Sequence, residues 1–220
     1  MKHLLKLLDL SKEEITELLD LADRLKAETK AGVEHHILKG KTLGMYQLGG
    51  HALFLSSRDL QIGRGEPVED TARVLSRYLD GIMIRTFAQE EVETLARVGS
   101  IPIINGLTDF CHPCQVLADL QTVREYKGRI EGLNICYIGD GNNMANSLIV
   151  GFLKMGAHVS IACPKAYQPD AQVLSFTEQY PGKFFMTESP EEAAKDADVI
   201  FTDVWASMGQ EEEKAVREKA

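Results

Sequence analysis

The chain has 220 residues, enough for one large domain or two small ones. Its hydrophobic fraction of 44% can supply a packed core, and its net charge of −9 disfavours a nucleic-acid or anionic membrane surface as partner. No apolar stretch is long enough to span a bilayer, and the N-terminus lacks the apolar run of a signal peptide. With four sparse cysteines, these features predict a cytoplasmic protein with free thiols.

The first predicted element is a helix that begins after Ser11 and ends near Thr29. Ser11 and Glu14 have the spacing of a capping box, in which each side chain accepts a hydrogen bond from the other residue's backbone. Six apolar residues follow at helical spacing: Ile15, Leu18, Leu19, Leu21, Ala22 and Leu25. Further along, Thr42-Leu43 begins an apolar stretch that glycines interrupt, and Ala52–Leu55 is predicted to be a short strand.

The remainder of the first half predicts a parallel βαβ unit. Its predicted elements are a helix over Val68–Leu79, a buried strand over Ile82–Ile84, a helix over Glu90–Val98 and a buried strand over Ile101–Ile104. A loop over residues 105–112 follows. Pro113 then suits the first turn of a helix that reaches Tyr126. Lys127-Gly128-Arg129 breaks this pattern, which places a boundary between domains over residues 1–127 and 128–220.

The second half repeats the alternation of strand and helix. The predicted strands are Leu133–Ile138, His158–Ala162, Phe184–Met186 and Val199–Thr202, and the predicted helices are Met144–Met155, Asp170–Gln179 and Pro190–Lys195. Apolar strands separated by helices are typical of a parallel sheet that is covered on both faces. The sequence therefore predicts the α/β class, with two parallel-sheet domains joined by a helix.

Two loops of the second half predict a small-molecule site, because ligands of open parallel sheets bind beyond the carboxyl ends of the strands. The loop Asp140–Asn143 is flanked and interrupted by glycines, which let the backbone approach a ligand, and it leads into a helix N-terminus. The loop Asp203–Gly209 offers a carboxylate that suits an ammonium group. Three alternatives remain: a strand-to-helix turn with an asparagine N-cap, a helix cap at Asp203, and a core position for Trp205. The first loop lacks a full G-x-G-x-x-G, so a dinucleotide site is disfavoured.

The first half supplies cations. Arg85 follows three apolar strand residues that hold its position, whereas Arg58 and Arg64 are expected to be solvated surface charges. His112 and Gln115 would both lie in the first turn of a helix, where their polar side chains can polarise a ligand carbonyl.

Cys111 and Cys114 form a C-x-x-C pair at a predicted helix N-terminus, which favours disulfide exchange or half of a zinc site as alternatives. A polar loop precedes the pair in place of a strand, and no second C-x-x-C or paired histidine completes a metal set. Both alternatives are therefore weak, and no metal is predicted.

The chain resembles the ornithine carbamoyltransferase family over nearly its whole length. The segments that carry the resemblance are Leu60–Glu66, Asp70–Leu75, Met83–Phe87, Asn105–Asp109, His112–Gln115, Gly139–Asn143 and Asp203–Glu213. The Ser-Met-Gly run at Ser207 is similar to ornithine enzymes and differs from aspartate carbamoyltransferases.

The resemblance implies transfer of a carbamoyl group from carbamoyl phosphate to the δ-amine of ornithine, giving citrulline and phosphate in arginine metabolism. By resemblance, Arg85, His112 and Gln115 are catalytic; carbamoyl phosphate is bound by these three with Gln61, Pro113 and Cys114; and ornithine is bound by Asn143, Asp203, Ser207 and Met208. No cofactor is implied. The family also implies a homotrimer, assembled through the carbamoyl-phosphate domain.

Two departures from the family are expected to impair the chain. The family has a phosphate-binding Ser-Thr-Arg-Thr-Arg loop, but here Lys41-Thr42-Leu43 runs directly into residues 44–50, which places a deletion near 43–44. The sequence ends at Ala220, before the family's later His-Cys-Leu-Pro loop. Both domains are therefore predicted to be incomplete, the trimer weakened and the transferase activity lost or reduced. The alternatives are a non-catalytic amino-acid-binding remnant, a chain that folds poorly, and the C-x-x-C redox protein.

Overall fold

The computed structural model describes residues 3–42, 51–55 and 65–204. Its helices are α1 (Lys12–Lys30), α2 (Val68–Leu75), α3 (Gln89–Val98), α4 (Pro113–Lys127), α5 (Asn143–Lys154), α6 (Ala171–Thr177) and α7 (Pro190–Ala194). Its strands are β1 (Ile82–Arg85), β2 (Ile103–Leu107), β3 (Asn134–Ile138), β4 (His158–Ala162), β5 (Phe184–Thr187) and β6 (Val199–Thr202). Contacts divide the chain into a first unit, Met1–Lys6 with Asp20–Asp109, and a second unit, Leu7–Leu19 with Phe110–Ala220.

The predicted capping box is confirmed. The Ser11 N–H donates to the Glu14 carboxylate at 2.8 Å, and the Glu14 N–H donates to the Ser11 hydroxyl at 3.1 Å. This exchange satisfies two backbone donors that a helix N-terminus leaves unpaired. Helix α1 begins directly after Ser11 and ends at Lys30, one residue beyond the predicted end.

In the first unit, β1 and β2 pair in parallel from Ile82↔Ile103 to Arg85↔Leu107, so the predicted βαβ unit is confirmed. Leu4 forms a parallel bridge with Ile104. The strands and helices α2 and α3 enclose an apolar core of Ala72, Val92, Leu95, Ile101 and Ile103.

Three predictions for the first unit were wrong, two in the extent of an element and one in its burial. Helix α2 ends at Leu75, four residues earlier than predicted. Strand β1 is half-buried because its side chains alternate, and Met83 is 55% exposed. Strand β2 continues through Asn105–Leu107, which the sequence had placed in a loop. Asn105 is buried there because its N–H donates to the Leu4 carbonyl and its side-chain amide donates to the Leu5 carbonyl, both at 2.8 Å.

The predicted strand Ala52–Leu55 is absent from the structure, although His51 forms a parallel bridge with Thr42. Eight residues separate Thr42 and His51, whereas a parallel crossover needs about a dozen or more. Each further residue pair added to the parallel ladder between the two segments would shorten their connection by one residue. The bridge therefore does not extend into a strand over residues 52–55. Phe54 in this segment is 91% exposed.

In the second unit, four parallel strands form one sheet in the order β5-β4-β3-β6. Strands β4 and β6 have the bounds that the sequence predicted. Helix α5 packs deeply against the sheet, and the Phe152 ring lies 5.6 Å from the Phe201 ring. The parallel α/β fold predicted for this half is confirmed.

The strand order creates a switch point between β3 and β6. The chain moves outward from β3 through β4 to β5 and then returns to β6 on the other side of β3. The direction of the strand order therefore reverses between β3 and β6, and open parallel sheets bind ligands beyond the carboxyl ends of the strands at such a point. Ile138 and Thr202 are paired at that end of the two strands.

Within the described ranges, no helix is both long and apolar enough to cross a membrane.

Candidate functional site

Asp203, the first residue of the loop after β6, contacts the loop Asp140–Asn143 at the switch point of the second unit. The side-chain amide of Asn142, in the loop after β3, donates to the Asp203 carboxylate after β6 at 3.1 Å. Asp203 is exposed, as a carboxylate that receives a ligand must be. Trp205, Ser207 and Met208 of the second loop lie outside the described residues.

Asn142 links the loop to helix α5. Its side-chain oxygen accepts hydrogen bonds from the backbone N–H groups of Met144 and Ala145 at 2.9 and 3.2 Å, so Asn142 is the N-cap of the helix. The Tyr137 hydroxyl donates to the same oxygen at 3.4 Å. The sequence-based site assignment named Asn143 and did not single out Asn142, whose capping role agrees with the alternative of a turn with an asparagine N-cap. The signal in the sequence was an asparagine at the last position before an apolar helix.

Asn143, the predicted ornithine ligand, is the first residue of α5 and is 5% exposed. Its carbonyl accepts from the Ser147 hydroxyl at 2.8 Å. That hydroxyl in turn accepts from the His112 backbone N–H at 2.8 Å, which ties the start of α4 to α5.

The predicted His112–Gln115 cluster lies in the first turn of α4, with His112 at the N-cap and Pro113 at the first helical position. The exposed Gln115 amide donates to the Asp119 carboxylate at 3.0 Å. Burial raises the pKa of Asp119; the Gln115 hydrogen bond opposes this effect, and the Asp203 carboxylate adds to it. Gln115 and Asp203 therefore act on the same carboxylate.

The C-x-x-C pair lacks the chemistry of a redox centre. Both cysteines are thiols outside any disulfide; Cys111 is buried and Cys114 is half-buried. Burial raises the pKa of the Cys114 thiol, whereas reactive thiols of this type have a lowered pKa. In the part of the chain that the structure describes, no group of three or more His, Cys, Asp or Glu side chains could hold a metal ion.

Tyr137 forms the floor beneath the loop that follows β3. Its side chain is 1% exposed, and a Cβ at Gly139 would lie 2.9 Å from its hydroxyl. Burial raises the pKa of Tyr137, and the carboxylates of Asp203 and Asp140 raise it further. The phenol therefore stays protonated and serves as a hydrogen-bond donor.

Arg85 belongs to the first unit, where it ends β1 with an exposed side chain. Gly106 on the paired strand leaves room for it, because a Cβ there would lie 3.0 Å from the Arg85 Cγ. His112 and Gln115 belong to the second unit. Gln61, like Arg58 and Arg64, lies outside the described residues.

The sequence profile "Aspartate/ornithine carbamoyltransferase, carbamoyl-P binding domain" matches residues 2–125, and "Aspartate/ornithine carbamoyltransferase, Asp/Orn binding domain" matches residues 131–220. The chain belongs to the aspartate/ornithine carbamoyltransferase family. Helix α4 falls within the first profile up to residue 125, although its contacts assign it to the second unit.

Within this family, two similar relatives are both named ornithine carbamoyltransferase. The protein from Pelobacter propionicus is 53% identical over 237 positions, which cover 100% of this chain and 78% of the relative. That from Oceanobacillus iheyensis is 54% identical over 239 positions, covering 99% and 74%. An alignment of 237 positions exceeds the 220 residues of the chain by 17, so at least 17 positions of the first relative have no counterpart here.

Solved structures agree with this relationship. The ornithine carbamoyltransferase from Pyrococcus furiosus superposes with a TM-score of 0.93 at 46% identity, covering 99% of this chain and 76% of that one. The anabolic ornithine carbamoyltransferase from Campylobacter jejuni gives a TM-score of 0.90 at 39% identity, covering 100% and 78%. The fold class and the family expected from the sequence are both confirmed.

Proposed function

We propose that this chain is an ornithine carbamoyltransferase by descent that retains the ornithine half of its site and has lost most or all of its turnover. The observation that carries the proposal is the meeting of Asp203 with the Asn142-Asn143 loop at the switch point. The reaction of the intact enzymes transfers a carbamoyl group from carbamoyl phosphate to the δ-amine of ornithine and yields citrulline and phosphate.

The ornithine half of the proposed site lies in the second unit. Asp203 presents an exposed carboxylate to a ligand ammonium group, and Asn143 begins the helix beside it. Ser207 and Met208 follow Asp203 in the sequence and would complete the contacts to the amino-acid backbone. The matching profile is described as an Asp/Orn binding domain, which supports this assignment.

The carbamoyl half would use Arg85, His112 and Gln115. A neutral amine attacks the carbonyl carbon, and the negative charge that develops on oxygen is stabilised by these donors. Gln61, Pro113 and Cys114 would contribute to binding carbamoyl phosphate. Alignment of two bound substrates would supply much of the remaining acceleration, without a covalent intermediate.

The proposed loss of turnover rests on the phosphate-binding loop, whose deletion we place near residues 43–44. Only eight residues connect Thr42 to His51 across a parallel bridge. We assign to this deletion the unmatched positions of the Pelobacter propionicus relative, which number at least 17 and are enough for a loop and a helical crossover. Without that loop, the family's main anion-binding backbone has no counterpart in this chain.

Three measurements on the purified chain test the proposal. Calorimetry with millimolar L-ornithine should give saturable heat that Asp203→Asn abolishes, since the amide removes the charge that attracts an ammonium group. Calorimetry with carbamoyl phosphate should give none, and assays with both substrates should yield little citrulline beside the Pyrococcus furiosus enzyme. Absence of ornithine binding would remove the ornithine-site proposal, and turnover near that of an intact relative would remove the proposed loss of activity.

Assembly, location and domain boundary are part of the same proposal. We expect a homotrimer weakened by the deletion, measurable by sedimentation as a concentration-dependent mass. We place the functional boundary at residues 127–128, after α4. This boundary lies between the two matched profiles. The four cysteines are thiols outside any disulfide, which is compatible with the cytoplasmic location that we propose.

A further inference from the structure

Both the oxygen and the nitrogen of the Asn142 side-chain amide form hydrogen bonds. Its oxygen accepts from the Met144 and Ala145 backbone N–H groups, and its nitrogen donates to the Asp203 carboxylate. One planar group therefore joins the start of α5 to the end of β6. These two elements lie on opposite sides of the switch point.

The orientation of this amide is fixed by its partners. Backbone N–H groups only donate, so the oxygen must face the helix; an ionised carboxylate only accepts, so the nitrogen must face Asp203. The Tyr137 hydroxyl, kept protonated by burial, donates to the oxygen from a third direction. Rotation of the amide by half a turn would break every one of these contacts.

We propose that Asn142 is a positioning residue that holds the Asp203 carboxylate in place for the ammonium group of the amino-acid ligand. This inference rests on the proposed function of the site. Asp203 follows a four-residue strand and is exposed, so its side chain has several rotamers available in the absence of a partner. A neutral amide fixes one oxygen of the carboxylate and leaves its negative charge uncompensated, as a ligand cation requires. A lysine or arginine in the same place would neutralise that charge.

The two roles of Asn142 predict which substitutions separate them. Serine and aspartate are both good N-caps, so Asn142→Ser and Asn142→Asp retain the cap of α5. Serine lacks the donor that reaches Asp203, and aspartate places a second negative charge beside it. Asn142→Ala loses the cap and the donor together. Ser189→Ala is the matched control, because it removes the N-cap of α7, where Ser189 accepts from the Glu192 N–H at 3.2 Å.

Calorimetry with L-ornithine and thermal melting of these variants test the inference. Asn142→Ser should weaken ornithine binding about tenfold to a hundredfold, as expected for a lost hydrogen bond to a charged group, while its melting temperature stays close to that of the parent. Asn142→Asp should bind more weakly still. Ser189→Ala should lower the melting temperature and leave the affinity unchanged. Parental affinity in Asn142→Ser would show that the residue is only a helix cap and would overturn the inference.

A second readout needs no ligand. The side-chain amide resonances of Asn142, assigned by their loss in Asn142→Ser, should shift when Asp203→Ala removes the carboxylate and should stay unchanged in Ser189→Ala. Insensitivity to Asp203→Ala would overturn the inference. If the parent chain fails to bind ornithine, the proposed function is wrong, and the amide resonances alone then decide whether Asn142 holds Asp203.

Discussion

The backbone N–H of Gly141 donates a 2.6 Å hydrogen bond to the carbonyl oxygen of Tyr167. This bond closes the loop after β3 onto the loop after β4. The approach depends on glycine, since a Cβ at position 141 would lie 2.1 Å from the Pro169 nitrogen and 2.2 Å from the Gln168 carbonyl carbon. Both are backbone atoms that cannot move away as a flexible side chain can.

Gly141→Ala is therefore expected to displace one of the two loops. We expect a loss of about 1–3 kcal/mol in the free energy of unfolding, typical of overpacking, together with weaker ornithine binding. Urea unfolding and calorimetry measure the two effects. Gly128→Ala is the contrasting control: Gly128 has a φ of 73° and open space within 4 Å of where a Cβ would lie, so it should cost about 1–2 kcal/mol without changing affinity. Equal affinity in both variants would contradict the role assigned to Gly141.

Lys154, at the end of α5, binds the segment Leu7–Leu10, which belongs to the same unit. Its ammonium group donates to the carbonyl oxygens of Leu7 and Leu8 at 2.8 and 2.7 Å, and also to that of Leu10. Lys154→Met keeps the length of the side chain but leaves these carbonyls without their donor, so we expect a loss of about 2–4 kcal/mol. Urea unfolding followed by circular dichroism measures it. The exposed Lys165→Met should change stability by less than about 0.5 kcal/mol, and an equal loss there would contradict this role.

Asp119 should make stability depend on pH in a defined direction. Burial, reinforced by the Asp203 charge, raises the pKa of Asp119 above its ordinary 3.8, so the folded state binds this proton more tightly than the unfolded state. The contribution of Asp119 to stability therefore falls as pH rises from 3.8 through the raised value. Asp119→Asn should be more stable than the parent above that window, and the difference should vanish below it. Unfolding free energies between pH 3 and 7 test this, and a difference that is constant with pH would contradict it.

Cys114 should react slowly with thiol reagents. Burial raises its pKa above the ordinary 9.0, so at neutral pH it carries less thiolate than a free cysteine. We expect iodoacetamide labelling slower than that of glutathione at pH 7, with a rate that still rises above pH 9, and no insulin-reduction activity. Mass spectrometry, with Cys114→Ser to assign the site, measures the rate. Labelling that reaches its maximum below pH 7, or insulin reduction that Cys111→Ser abolishes, would support the redox alternative instead.

If the deletion that we propose near residues 43–44 removed the phosphate-binding loop, restoring that loop should restore carbamoyl-phosphate binding. The change is insertion, between Leu43 and Gly44, of the phosphate-binding segment of the Pelobacter propionicus relative. We expect calorimetric binding of carbamoyl phosphate to appear, because the backbone donors of the loop return. A scrambled insert of equal length and composition is the control. Equal binding with the scrambled insert would show that length alone matters and would contradict the assignment of the phosphate site to this loop.

Local signals in the sequence were enough to predict most helices and strands. The capping box at Ser11 and the bounds of β4 and β6 were predicted because apolar periodicity and capping residues act over a few neighbouring positions. The prediction failed where an element depends on a distant partner. Asn105 was placed in a loop because it is polar, yet the carbonyl groups of Leu4 and Leu5 satisfy it within β2. Residues 52–55 form an apolar run but obtain no paired strand.

The sequence by itself determined the α/β class, the family, and the two loops that carry the candidate site, because each rests on residue patterns that are contiguous in the chain. Only the tertiary structure decided that Asn142 holds Asp203. These residues are 61 positions apart, and nothing local to either one predicts the contact. The contact exists because the sheet order β5-β4-β3-β6 places β6 beside β3, so that the carboxyl ends of two strands distant in sequence meet at one edge.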